Sequence, residues 1–203
     1  MKALMKKLFS VLLMLVLVAG MLNVHASVAP LPVYRPGDAF RQVVVIGNAR
    51  VTLVQSKRHG VLSVYEYDSS KTKVQRQGHT LYIRSNEKVP AELTVYVNEL
   101  YRIDVSGTAV VNTKGVFNVP LMQIFLHDLA RADVKLNAEG IYTIGADQSE
   151  LILRGATKEH IVEKSLGAKL NTTQFAVLTI RTEDLKSKFA GNGPKPLEKD
   201  TVQ

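Results

Sequence analysis

The chain contains no cysteine. That absence excludes disulfides, thiolate metal sites and cysteine nucleophiles, and also a lipoprotein anchor, which needs a thiol directly after the cleavage site. Stability must then come from packing and backbone hydrogen bonds. No run beyond residue 26 approaches the ~18–20 consecutive apolar residues that cross a bilayer. Blocks of like charge are missing too. Arg41, Arg50, Arg84, Arg102, Arg131, Arg154 and Arg181 are scattered singly, the pattern of a solvated surface and not of a nucleic-acid site. Only alignment of such charges between stacked repeats would build a patch for an anionic glycan. There is no Gly-x-Ser-x-Gly elbow, no His-Glu-x-x-His, no glycine-rich phosphate loop and no Ca²⁺-binding nonapeptide repeat. The sequence implies no cofactor and no metal.

What is present begins with an export signal. Lys2, Lys6 and Lys7 form a charged start, Leu8 to Leu22 is almost wholly apolar, and Val24-His25-Ala26 offers small residues for cleavage after Ala26. The apolar run is too short for a transmembrane anchor. Residues 1–26 are thus read as a signal peptide, with the product periplasmic, extracellular or at the cell surface. Removal leaves 177 of the 203 residues and lowers the formal charge from +8 to +5. That length suits one domain with a sizeable core. Residues 27–39, with Pro30, Pro32, Pro36 and Gly37, read as an extended leader. Residues 192–203 read as a disordered tail.

Between them, residues 40–191 carry β patterning. Arg41–Ile46 and Val51–Gln55 are strand-like runs split by Gly47-Asn48-Ala49. Further strands follow at Val61–Tyr67, Lys71–Gln77, Leu81–Arg84 and Glu92–Val97. From Leu100 to Leu185 one phrase recurs, a short apolar alternation and then a polar turn. Its openings are Ile103-Asp-Val105, Ile124-Phe-Leu126, Tyr142-Thr-Ile144, Ile161-Val-Glu163 and Leu178-Thr-Ile180, spaced 21, 18, 19 and 17 residues apart. A period near 20 built of strands and turns suggests a β-solenoid, whose repeats bury their apolar faces only by stacking. Two segments also fit helices. Met122, Phe125, Leu126 and Leu129 have helical spacing after Pro120, and 158–170 does so apart from Gly167. We favour strands at 120–136 and 158–170 because the repeat runs through both; helices there would make the fold α+β.

The run Phe40-Arg-Gln-Val-Val-Val-Ile-Gly-Asn-Ala-Arg-Val-Thr-Leu53 resembles the opening of the exported "putative auto-transporter adhesin, head GIN domain" proteins. Gly78-His-Thr-Leu-Tyr-Ile83 is similar to that family's glycine-then-strand element. Leu93 to Val111, with Ser106-Gly107, resembles its central signature. The turns His127-Asp128, Gly145-Ala146 and Ser165-Leu166-Gly167 depart from Ser-Gly. The resemblance spans about Phe40 to Gly191. It implies a right-handed β-helical domain, export and a role in adhesion, and it transfers no catalytic residues.

The best chemical constellation comes from the repeat register. His127, Asp128 and Asp147, with Glu183 and Asp184, occupy similar turn positions, so stacking at ~4.8 Å could gather carboxylates on one edge. Acidic clusters of that kind serve polysaccharide-cleaving enzymes. The competing reading is that aspartates sit in turns because they bond nearby backbone. His59 and His79 lie beside Gly60 and Gly78 in apparent turns and read as solvated. His160 and Glu163 could share a metal only on a helix. Asn171-Thr172-Thr173 matches a glycosylation acceptor. Tyr65, Tyr67, Tyr82, Tyr96, Tyr101 and Tyr142 could form a sugar-stacking ladder or complete the core.

The expectation is therefore an all-β, right-handed β-helix or solenoid-like stack of short strands behind a cleaved signal peptide. It would act as a non-enzymatic binding or adhesion module of the envelope. Its partners would be glycans or envelope and host surface proteins, with self-association through exposed end repeats, no nucleic acid and no membrane span after cleavage. A periplasmic structural or accessory protein, or a carbohydrate-active hydrolase or lyase using His127, Asp128 and Asp147, are the alternatives.

Overall fold

The computed structural model describes residues 31–34 and 39–184. The expected signal peptide (1–26) and tail (192–203) lie outside the described residues. Among these the fold is all-β, with no helix and none long and apolar enough to cross a membrane. The strands are β1 (Leu31–Tyr34), β2 (Gln42–Gly47), β3 (Ala49–Gln55), β4 (Gly60–Ser63), β5 (Thr72–Gln77), β6 (Thr80–Ser85) and β7 (Ala91–Val97). They continue as β8 (Arg102–Gly107), β9 (Val110–Lys114), β10 (Phe117–Leu126), β11 (Arg131–Gly145), β12 (Glu150–Lys164) and β13 (Lys169–Asp184). All thirteen join one curled sheet. Segments 120–136 and 158–170 are strand and turn, as favoured from the sequence. The segment read as an extended leader contributes β1, which pairs antiparallel with β4.

Alternating apolar residues build the sheet. In β7 every second residue from Ala91 to Val97 is buried, the period-2 pattern of a strand with one face on a core. Chain passes then stack as parallel ladders. The first ladder runs β6, β2, β8 and on through the C-terminal halves of β10, β11, β12 and β13. A second runs β7, β3, β9 and the starts of β11, β12 and β13. A third joins the start of β10 to the middles of β11, β12 and β13. The second pass, β6 and β7, lies outside the first, and the third pass continues on the other side. Antiparallel β5 covers β6, and β4 with β1 covers β7.

Inside, Val43, Val45, Ile83, Ile103, Val105, Ile124 and Leu126 from the first ladder meet Val51, Leu53, Leu93, Val95, Val111, Val134 and Leu153 from the second. Where the chain turns from one to the other, a column of small buried residues recurs: Ala91, Ala49, Ala109, Ala130, Ser149 and Ala168. A larger side chain there has no room between the ladders. The third ladder has a glycine of similar necessity. Gly155 has φ +106°, and a Cβ on it would lie 2.0 Å from the Leu136 carbonyl oxygen.

The repeat register differs from the sequence reading. Ile103 aligns with Ile124, then Thr143, Val162 and Thr182, not with Tyr142, Ile161 and Leu178. The true spacings are 21, 19, 19 and 20 residues. Two insertions set the longer ones: Gly115-Val116 between β9 and β10, and a bulge at Thr172-Thr173 in β13. A one-residue slip exchanges the faces of a strand, so Tyr142 and Ile161 look outward while buried Thr143 and Val162 look in.

Candidate functional site

Of the five residues expected on an acidic edge, Asp128 and Asp147 lie on adjacent levels and are joined, with His127 beside Asp128 in the chain. His127 and Asp128 lie in the turn before β11, and Asp147 lies one level along in the turn before β12. Each turn closes on itself, by Ala130 N–H to the His127 carbonyl at 3.1 Å and Ser149 N–H to the Ala146 carbonyl at 3.1 Å. Both aspartates have positive φ, 60° for Asp128 and 56° for Asp147, where their short side chains are tolerated. Gly107 (φ 74°) and Gly47 (φ 89°) hold the equivalent positions in earlier passes. The carboxylates take up backbone donors: Gly107 N–H donates to Asp128 Oδ2 at 2.8 Å, and Asp128 N–H donates to Asp147 Oδ2 at 3.0 Å. The edge is a ladder in which each aspartate ties its own level to the one before it. Glu183 and Asp184 are not in a turn; they pair in β13 with Glu163 and Lys164.

The histidines are corrected individually. His160 is in β12, not on a helix, and is fully buried. Its Nε2 lies 2.9 Å from Thr143 Oγ1, its Nδ1 has no partner among the described residues, and its ring meets Phe175 edge-on at 5.9 Å. Burial lowers its pKa to about 4. Glu163, three residues on, falls on the opposite face of the strand, where it accepts from the Tyr142 hydroxyl. His59 is half-buried against Phe40, ring centroids 5.1 Å apart, and burial lowers its pKa against an opposing pull from Glu99. His79 is exposed, as expected. No cluster of three metal-ligating side chains occurs among the described residues.

The tyrosines do not form one ladder. Tyr82 and Tyr142 lie on the outer face of the first ladder, separated by Val44, Asp104 and Phe125 on the levels between. There Arg102 covers the Phe125 ring at 4.2 Å, and Phe125 meets Tyr142 edge-on at 5.6 Å. Tyr67 packs on the core. Tyr65 is exposed.

Tyr101 has a different setting. It stands with Leu121 between two adjoining grooves of about 490 and 230 Å³. The larger has a polar floor built on Gln55, whose Nε2 donates to the Asn98 and Asn118 carbonyls at 3.1 Å each and whose Oε1 accepts the Asn118 N–H at 2.9 Å. Arg41 and Glu99 pair at 2.7 Å on its rim. The smaller is lined by Leu121, Ile141, Tyr142 and Ile161. Tyr101 is 38% and Leu121 58% exposed, so an aromatic face and an apolar ridge meet solvent beside amides and a charged pair. That combination can hold an amphipathic ligand such as a sugar ring. Sequence reasoning singled out Tyr101 but missed Leu121, Gln55 and Asn118, because only the stacking brings them together.

The family model described as "Putative auto-transporter adhesin, head GIN domain" matches residues 39–194. No curated protein matches the chain. Among solved structures, a "putative adhesin" from Parabacteroides distasonis ATCC 8503 is similar with a TM-score of 0.55 and 14% identity, covering 77% of this chain and 78% of that one. Another, from Parabacteroides merdae ATCC 43184, has a TM-score of 0.54 and 13% identity, covering 79% and 78%. At those identities the likeness is one of fold.

Proposed function

The chain belongs to the family described as "putative auto-transporter adhesin, head GIN domain", and on that premise we propose that it is an exported, non-enzymatic binding or adhesion module. In this reading the stacked ladders form a short right-handed β-solenoid, the hand that parallel crossovers adopt. The observation that carries the proposal is the in-register parallel stack, which repeats outward side chains at one spacing, level after level. Such a surface complements repetitive ligands better than a single enclosed site does. Three features support it. The aspartates that would serve catalysis are engaged with backbone N–H groups. The grooves beside Tyr101 join an exposed ring to polar partners. The first 26 residues have the charged start, apolar run and small-residue cleavage pattern of an export signal.

The test is adhesion itself. Beads coated with the purified secreted chain are expected to adhere to immobilised polysaccharides or to cell surfaces. Adhesion to no polysaccharide and no cell type would remove the binding reading. Turnover of a polysaccharide that disappears in Asp128→Ala and Asp147→Ala variants of unchanged fold would replace it with the hydrolase or lyase reading.

A further inference from the structure

The arginines and lysines that are scattered in sequence do not remain scattered in space. Lys135 and Arg154 are direct partners in the β11–β12 ladder. Lys114 shares their column, two residues on from the Asn112–Asp133 pair, where the Lys135 N–H donates to Thr113 Oγ1 at 2.8 Å. The three sit on successive levels, so neighbouring cations are ~4.8 Å apart along the stack. Like charges directly opposite one another on adjacent strands are unfavourable. Elsewhere on this outer face the chain avoids that by pairing levels of opposite sign. Arg50 meets Glu92 at 3.0 Å, and Arg131 faces Glu150 at 3.7 Å. In the column only Arg154 has such a partner, Asp133 at 2.9 Å. Lys114 and Lys135 are exposed and have no carboxylate in ion-pair range among the described residues. The outward positions of the second ladder hold six cations, Arg50, Lys114, Arg131, Lys135, Arg154 and Lys169, against Glu92, Asp133 and Glu150.

We propose that this column, Lys114, Lys135 and Arg154, binds a linear acidic polysaccharide that carries one carboxylate per sugar residue and runs along the stack. The inference rests on the binding-module reading and names its ligand class and face. The spacing of levels is close to the length of one sugar residue, so the carboxylates on one side of the polymer recur at whole numbers of levels along the cation column. Beside the column, Thr52 and Asn112 are paired on adjacent levels and half-exposed, offering a hydroxyl and an amide for sugar hydroxyls. Single-stranded nucleic acid fits less well. Binding it needs a series of rings on which bases stack; Val54 and Gln174 flank the three cations, and the column's single aromatic residue, Tyr96, stands one level beyond Val54.

The experiment measures binding of the purified secreted chain to immobilised polygalacturonate, with the fully methyl-esterified polymer as the uncharged match. The unmodified chain is expected to bind the acid form, to release it as salt rises, and to ignore the ester. Lys114→Ala with Lys135→Ala should weaken binding about ten-fold or more, with an unchanged circular dichroism spectrum. Lys73→Ala with Lys88→Ala, which removes the same charge from exposed positions elsewhere, should leave it within about two-fold. Equal binding of the ester, undiminished binding by the column variant, or equally tight binding of a single-stranded oligonucleotide would each overturn the inference. Adhesion to other polymers but not to polygalacturonate overturns it while leaving the binding-module reading in place; adhesion to nothing removes both.

Discussion

His160 gives the fold a defined sensitivity to acid. Its ring fills the inward column between levels, in register with Ile141 and, one level further, Met122, and among the described residues only Thr143 Oγ1 bonds it. Protonation would place a cation among apolar side chains with its Nδ1–H unpartnered, so burial holds the folded pKa at about 4 against 6.5 for a free histidine. Because the folded value is the lower one, the contribution is fully present above pH 6.5. It is lost as pH falls towards 4, since the unfolded chain binds a proton that the folded chain refuses. At about 1.4 kcal/mol per pH unit the loss totals about 3 kcal/mol, a large share of the 5–15 kcal/mol typical of a domain. The assay is urea unfolding between pH 7.5 and 4, comparing the natural chain with the double variant Thr143→Val, His160→Leu, which leaves neither polar atom orphaned. The variant should gain about 3 kcal/mol on the natural chain over that range. Parallel pH profiles, or an NMR titration placing His160 near 6.5, would refute the reasoning.

Other substitutions test the remaining contacts. Ala130→Leu, in the column of small residues at the turn, should cost about 1–3 kcal/mol through overpacking, read as a lower urea midpoint with unchanged slope. Gly155→Ala should cost about 1–3 kcal/mol from its backbone conformation alone; a loss within error would mean that the chain can relax away from the Leu136 carbonyl. Asp128→Ala should cost about 0.5–1.5 kcal/mol by removing the acceptor of the Gly107 N–H, whereas Asp128→Asn, which keeps an acceptor, should cost less. If the two variants unfold alike, the carboxylate oxygen is not what ties the levels together.

The sequence announced an all-β chain with a period near 20, and every described element is a strand or a connection between strands. What it could not show was the parity of the later strands. The outer face of the first ladder is itself apolar, with Phe125, Tyr142, Ile144 and Ile161, while the inner face there includes Thr143 and His160. Apolar letters therefore pointed to the wrong side, and the register moved by one residue. Leu178 lies four residues short of Thr182, and the Thr172-Thr173 bulge accounts for one of them. The stacking of β6 and β7 beyond the first pass left no trace in sequence, since strand order is set by long-range pairing. The aspartate turns were legible as turns, and their bonds across levels favour the backbone-tying role over chemistry. The basic column was in principle legible too. Lys114, Lys135 and Arg154 are 21 and 19 residues apart, the same spacings as Ile103, Ile124 and Thr143, but the match has meaning only once the register is known.

In the proposed function this surface works outside the cell. The measurement that tests it most directly is protease added to intact producing cells, followed by immunoblotting for the chain and for a periplasmic control protein. Loss of the chain while the control survives, or recovery of the chain from the medium, is the predicted result. Full protection of the chain alongside the control would contradict the adhesin reading and leave a periplasmic structural role in its place.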